Sequence, residues 1–361
     1  MSLSLRKQTI ILSTLYSNLC GTTANTNSII NNKTHYITYN PAPIERYVVD
    51  HADELGYASH DNPRGCDIWK NRSATGIGIF ESLFAYDADL KRYNHAIDDF
   101  ASVNIDVLEE IQRTGNHDVC SRLKLHADGL IGLFESKQLS LSTSGWVEPL
   151  LPPMRYHEFC FDKRQLMKLD YLVHDFEAMC NNLKPTSKKV FIDMGASLSF
   201  HSGSRSPAIE LLELYKKFGI NFDHIYGFEV TKSDPNEVFG DLLPKDLLSV
   251  YHWINVGVSA EVGGKLNPLH SILEKFSEDD LIVIKLDIDT SSIETPLAKQ
   301  LLDGGPNGTY HLLVDQFYFE HHVHLGELAG AWGYSMNGTV KESLELFYTL
   351  REKGIPAHFW P

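Results

Sequence analysis

No apolar run in this 361-residue chain reaches the roughly 20 residues that a bilayer-spanning helix requires, and the patch Thr9 to Leu19 is short and broken by Ser and Thr. No stable membrane span is expected. Nor is there a lysine- or arginine-rich cluster to set against a formal net charge of -15. That balance repels phosphate backbones and anionic bilayers, so nucleic acid is excluded as a partner. The five cysteines (Cys20, Cys66, Cys120, Cys160, Cys180) form no CxxC pair and no Cys/His zinc spacing. A structural zinc site is not expected, and the cysteines read as scattered free thiols. Asp and Glu are missing from the first 44 residues, which are rich in Ser, Thr and Asn and carry only Arg6, Lys7 and Lys33 as basic residues. Residues 1–45 therefore read as a disordered leader or targeting segment. Four N-x-S/T tripeptides, at Asn32, Asn71, Asn307 and Asn337, permit glycosylation if the chain is secretory. The localisation expected is soluble, with an organellar or secretory route left open.

What is present is ordinary for a globular protein that buries a core, with 43% hydrophobic and 22% charged residues. The most informative stretch is Lys189-Val190-Phe191-Ile192-Asp193-Met194-Gly195-Ala196-Ser197. Four apolar residues around one acid, then a glycine turn, predict a strand whose exit approaches a nucleoside or nucleotide. Behind it Ala208 to Tyr215 carries a helical apolar stripe, and Ile225-Tyr226-Gly227-Phe228-Glu229 predicts a second strand ending in an acid. A carboxylate there can accept hydrogen bonds from both ribose hydroxyls.

From residue 186 the pattern alternates regularly. Strands are expected at Val190–Asp193, Ile225–Glu229, Val250–Val258, Leu281–Asp287, Tyr310–Phe319 and Ala357–Trp360. Helices are expected at Pro207–Phe218, His270–Phe276, Pro296–Leu302, Val323–Trp332 and Lys341–Gly354. The fold class is α/β, a Rossmann-like, doubly wound, mostly parallel sheet over residues 186–361. Residues 46–185 are irregular and mainly helical, with helices over Ile79–Phe100 and onward through Ile111, and read either as an accessory cap or as packing extensions of one domain.

The glycine turn departs from G-x-G-x-x-G, since Ser197 and Ser199 stand where glycines would follow Gly195. A pyrophosphate cradle is disfavoured, and S-adenosylmethionine, which carries no phosphate, suits the turn better. Its ribose would fall to Glu229 and its amino-acid end to Asp193. In their order along the chain, Phe191 to Ala196, Gly227 to Glu229, Asn255 to Ser259 and Ile284 to Asp289 resemble the FkbM-type family of S-adenosylmethionine-dependent methyltransferases, over residues 186–360. The resemblance implies O-methylation of a hydroxyl on a sugar or small metabolite, with a small-molecule or glycan acceptor. It places Asp193 and Gly195 in the cofactor loop, Glu229 on the ribose, Gly257 to Ser259, Val258 included, beside the adenine, and Asp287 toward the acceptor; Ser197, in the same turn, is a further candidate cofactor contact.

Asp287-Ile288-Asp289 is also a D-x-D at an apolar strand end, the arrangement of metal-dependent glycosyltransferases. Downstream, Asp315, Glu320, His321, His322 and His324 concentrate metal-capable groups. Strand alternation lets Glu320 and His322 share a face while His321 points away. Asp287, Asp289, Asp315 and His322 are therefore the expected set for a divalent metal, and Asp287 or His322 the expected base, with Tyr318 and Trp332 as acceptor walls. Besides the methyltransferase and the glycosyltransferase, a non-catalytic Rossmann-like binding module remains an alternative.

Overall fold

The computed structural model describes residues 37–70, 76–115, 118–123, 132–136, 145–198 and 206–361. Ser199, most of the loop from His201 to Pro207, Cys20 and residues 1–36 of the expected leader lie outside them.

Before the sheet, four helices stand out: α1 (Pro43–Asp50), α2 (Gly76–Val103), α3 (Ile105–Thr114) and α4 (Phe176–Asn182). Short strands at Ile37–Asn40, Gly132–Ser136 and Trp146–Val147 form an antiparallel sheet. Residues 37–45 thus belong to the fold rather than to a leader. The main sheet consists of β1 (Lys189–Met194), β2 (His224–Phe228), β3 (Tyr251–Ile254), β4 (Leu281–Leu286), β5 (Gln316–Phe319) and β6 (Ala357–Phe359). It is entirely parallel, in the order β3-β2-β1-β4-β5-β6. This is the doubly wound Rossmann order, whose crevice opens beyond the C-terminal strand ends where the order reverses, here between β1 and β4.

Continuous apolar runs make β1 and β4 the central strands, buried on both faces. Helix α5 (Pro207–Lys217) follows β1, α6 (Ser291–Asp303) follows β4, and α7 (Val340–Glu352) precedes β6. Pro207 starts α5, where its missing N–H costs nothing. Thr339 and Glu342 form a reciprocal capping box on α7, satisfying two amide donors at its start. Several expected boundaries shift: the strand expected over Val250–Val258 spans only Tyr251–Ile254, and the helix expected over His270–Phe276 is Pro268–Ser271 followed by a helical turn at Leu273–Lys275. Helix α6 begins five residues before Pro296, which sits inside it. Of the helix expected over Val323–Trp332 only Ala329–Trp332 forms. The strand expected from Tyr310 begins at Gln316, because Tyr310–Leu313 is a helical turn.

The described residues between 37 and 185 share one compact unit with the sheet, and most of their buried apolar side chains join its core, as packing extensions of it. A buried polar network shows how they are joined. The Arg351 guanidinium on α7 lies 3.3 Å from Glu45 and 3.3 Å from Glu148, and donates to the Tyr39 hydroxyl and the Ala357 carbonyl. His358 on β6 bonds Glu148 and Gln316 through its two ring nitrogens. A buried arginine with every donor engaged couples these segments into one cooperative structure. The expectation of free thiols fails for four cysteines: Cys66 is bonded to Cys160 and Cys120 to Cys180. The partners lie 94 and 60 residues apart, so their spacing along the chain carried no pairing signal. Among the described residues no helix is long and apolar enough to cross a membrane.

Candidate functional site

Register fixes the site. Met194 pairs with Phe228 and with Leu286, Leu286 with Phe319, and Phe319 with Phe359. The residues that leave β2, β4, β5 and β6 (Glu229, Asp287, Glu320 and Trp360) therefore emerge side by side on one sheet edge. A cleft of about 380 Å³ opens there, lined by Gly195, Ser197, Glu229, the stretch from Val256 to Val258, Asp287, Asp289 and Trp360 among others. That volume lies within the range of small-molecule sites.

At its floor the Lys285 ammonium lies 3.0 Å from Asp193 and 3.2 Å from Asp287, and donates to the Gly195 carbonyl at 2.8 Å. Burial alone would lower this ammonium's pKa, but the two carboxylates outweigh it and hold the lysine charged. Burial also raises the Asp193 carboxyl, against the pull of Lys285. Asp193 is thus a partner of Lys285 beneath the cleft, and it does not line the cleft wall as the sequence led us to expect. The alternation of β1 explains this, because Asp193 sits one residue inside the strand end and not beyond it.

Gly195 has φ +94°, and a Cβ there would overlap the Asp287 carbonyl, so only glycine fits. The turn's N–H groups face inward. Those of Gly195 and Ala196 both donate to the Phe228 carbonyl at 2.9 Å, and that of Ser197 donates to Gly195. The expected approach of these three amides to a ligand is therefore replaced by internal bonds, so they are not available to a pyrophosphate. Ser197 itself is exposed at the cleft.

Glu229 leaves β2 half-buried, and its carboxylate accepts from the Thr231 N–H at 2.6 Å. Asn255 fixes the backbone around it by donating to the Glu229 and Thr231 carbonyls, both at 2.7 Å. Gly227 lacks a side chain because the Tyr251 ring fills that space. Gly257 and Val258 form the adjoining wall.

Across the cleft, Asp287 accepts from Trp360 Nε1 at 3.2 Å. Its carboxyl is pushed well above the usual range, by burial first and by the nearby Glu320 carboxylate, against Lys285. Glu320 is driven the other way. Burial would raise it, but Arg155 and His322 hold it ionised and well below the usual range. It accepts from Arg155 and, at 2.9 Å, from Trp332 Nε1. His322 Nε2 lies 3.0 Å from Glu320 Oε2 and 3.6 Å from Asp289 Oδ1.

The expected metal set does not converge as a whole. Asp289 and His322 meet, but Asp315 lies at the opposite sheet edge, accepting from the Ile282 N–H at 2.6 Å. The cause is the late start of β5, which leaves Asp315 ahead of the strand. Glu320 takes its place in the cluster, beside His322. His321 points away and meets the Ser343 hydroxyl at 2.9 Å. His322 is about 1% exposed and does not line the cleft, so it cannot touch an acceptor directly. Tyr318 is core, held between His174 and the Tyr215 hydroxyl, and Trp332 stacks on His322. Sequence reasoning missed Lys285, although a lysine within an otherwise apolar strand signals a buried counter-ion. It also missed Arg155 and Trp360, which come from remote segments and have no local signature.

No family model matches the chain, and no curated protein or solved structure matches it.

Proposed function

We propose that the chain is an S-adenosylmethionine-dependent O-methyltransferase acting on a hydroxyl of a sugar or small metabolite. The observation that carries this reading is Glu229, a carboxylate at the exit of β2, in a cleft whose glycine turn has its N–H groups already bonded. Among the described residues, such a site offers an acceptor to a ribose, and the amides of Gly195, Ala196 and Ser197 are not free for a phosphate. The close fit of Gly195 against the Asp287 carbonyl supports it, because the glycine keeps the floor free of a side chain. The resemblance of the strand exits to the FkbM-type family adds support.

S-adenosylmethionine, when bound, supplies a methyl group already activated for transfer. The protein then has to position the acceptor and move one proton. Asp287 lines the cleft and is the candidate general base, its carboxyl raised by burial and by the neighbouring Glu320. Lys285 and Trp360 hold its carboxyl in place. The excess of acids around the cleft favours a cationic sulfonium over a nucleotide diphosphate. The test is the melting temperature with S-adenosylhomocysteine, with a UDP-sugar plus Mn²⁺, or with neither. The reading expects stabilisation by the first alone, a glycosyltransferase by the second, and a binding module that has lost its cofactor by neither.

Two disulfides support folding in an oxidising compartment, and with it a secretory or organellar route. Asn307, on a turn, and Asn337 are both exposed, as glycosylation along that route requires.

A further inference from the structure

We propose that Asp289, Glu320 and His322 bind one divalent first-row cation of the Mn²⁺ or Zn²⁺ type at the side of the cleft. One ligand atom from each residue lies within 4.8 Å of the others. The residues come from the exits of β4 and β5, which are neighbouring strands paired through Leu286 and Phe319.

The hydrogen-bond network around His322 defines what faces the cluster. Ser335 Oγ donates to the Trp332 carbonyl at 2.6 Å, which commits its only proton. His322 Nδ1 contacts that same oxygen, so Nδ1–H is the donor and the proton sits on Nδ1. Nε2 is the ring nitrogen that faces the two acids. It is buried and makes no aligned hydrogen bond, although Glu320 Oε2 is only 3.0 Å away. Two carboxylate oxygens thus converge on this buried, unpartnered Nε2 and set like charges against each other. A cation at their centre resolves that opposition.

The surrounding groups orient these ligands. Trp332 stacks on the His322 ring with centroids 4.8 Å apart. Arg155 and Trp332 both donate to Glu320 Oε1, which leaves Oε2 turned toward His322. Fixing a ligating histidine and carboxylate through their far atoms is how outer-shell groups tune a metal site. Charge also favours occupancy. Arg155 pairs with Glu320 and Lys285 with Asp193 and Asp287, whereas no lysine or arginine among the described residues pairs with Asp289.

A second cluster, Asp87, His157 and Glu158, provides the contrast. There Lys91 lies 2.9 Å from both acids and already supplies the positive charge. In the Asp289 cluster the Arg155 guanidinium binds only Glu320 Oε1, and neither Oε2 nor Asp289 has a lysine or arginine partner among the described residues. One imidazole with two carboxylates selects a transition metal over Mg²⁺ or Ca²⁺. Asp289 is itself 82% exposed and lines the cleft, so the cation would keep open positions toward an acceptor oxygen. Its use in methyl transfer rests on the proposed function, but its binding does not.

The test is titration of metal-stripped full chain with MnCl₂, followed by water-proton relaxation, without S-adenosylhomocysteine. One ion per chain is expected, with binding weakened about 10–100-fold in Asp289→Asn and in His322→Gln. Asp289→Asn changes an exposed residue and keeps the fold, so it carries the test should the buried His322→Gln variant unfold. Absence of stoichiometric binding to the wild type, or wild-type affinity in Asp289→Asn, overturns the site. S-adenosylhomocysteine binding is measured separately by calorimetry in metal-free buffer, so failure of the metal site and failure of the methyltransferase reading give different results.

Discussion

Lys285 and Asp193 occupy paired positions of β4 and β1, with Nζ 3.0 Å from Oδ1 and both side chains buried. Removing the ammonium strands Asp193 without a cation in the middle of the sheet. Lys285→Met is expected to cost about 3–5 kcal/mol of folding stability, because a buried charge loses its partner. Urea denaturation measures this. Adding Asp193→Asn should recover part of the loss, and an undiminished loss in the double variant would show that the pair is not the cause.

Gly195→Ala places a methyl group against the Asp287 carbonyl at a backbone angle that alanine disfavours. Left-handed strain alone costs about 1–3 kcal/mol, and the overlap adds to it. A lowered melting temperature together with lost S-adenosylhomocysteine binding is expected. Unchanged values for both would mean that the turn does not bear on the cleft.

The main sheet was legible because apolar runs, glycines and strand-end acids are local signals. Val190 to Asp193 and Leu281 to Leu286 read as strands from hydrophobicity alone, and the helix beginning at Pro207 from its stripe and its proline. Glu229, Asp287 and Gly195 followed, since a parallel sheet brings strand exits to one edge. Asp315 was misplaced because Tyr310 to Val314 is as apolar as a strand, although it forms a helical turn. Disulfide partners and the Arg351 network depend on contacts between remote segments, which no window of sequence contains.

Asp175 gives a pH signature independent of the cleft. It caps α4 by accepting from the Ala178 N–H at 2.8 Å, and burial raises its pKa to about 6. The folded state therefore holds this proton more tightly than the unfolded chain. The stability this contributes is present below about pH 4 and is lost as pH rises to about 6, a change of about 3 kcal/mol. Asp175→Asn keeps an acceptor for the cap and should remove that slope from urea-unfolding free energies. An unaltered slope would assign the effect to another group.

Covalent linkage is checked by non-reducing peptide mapping, which should find Cys66 joined to Cys160 and Cys120 to Cys180. Reduction should lower stability by about 2–5 kcal/mol per bond. Chain recovered from a secretory host should lose mass on endoglycosidase treatment, and less so in Asn307→Gln and Asn337→Gln. Free thiols at the four mapped cysteines would contradict the proposed oxidising compartment.

The central claim is that the Glu229 carboxylate holds a ribose in the cleft at the end of β2. Calorimetric titration with S-adenosylhomocysteine tests it most directly, on wild type and on Glu229→Ala. Wild type is expected to bind, and the variant to lose about 1.5–3 kcal/mol, the worth of hydrogen bonds to a charged acceptor. Equal affinities in the two proteins, or no binding to either, would contradict it.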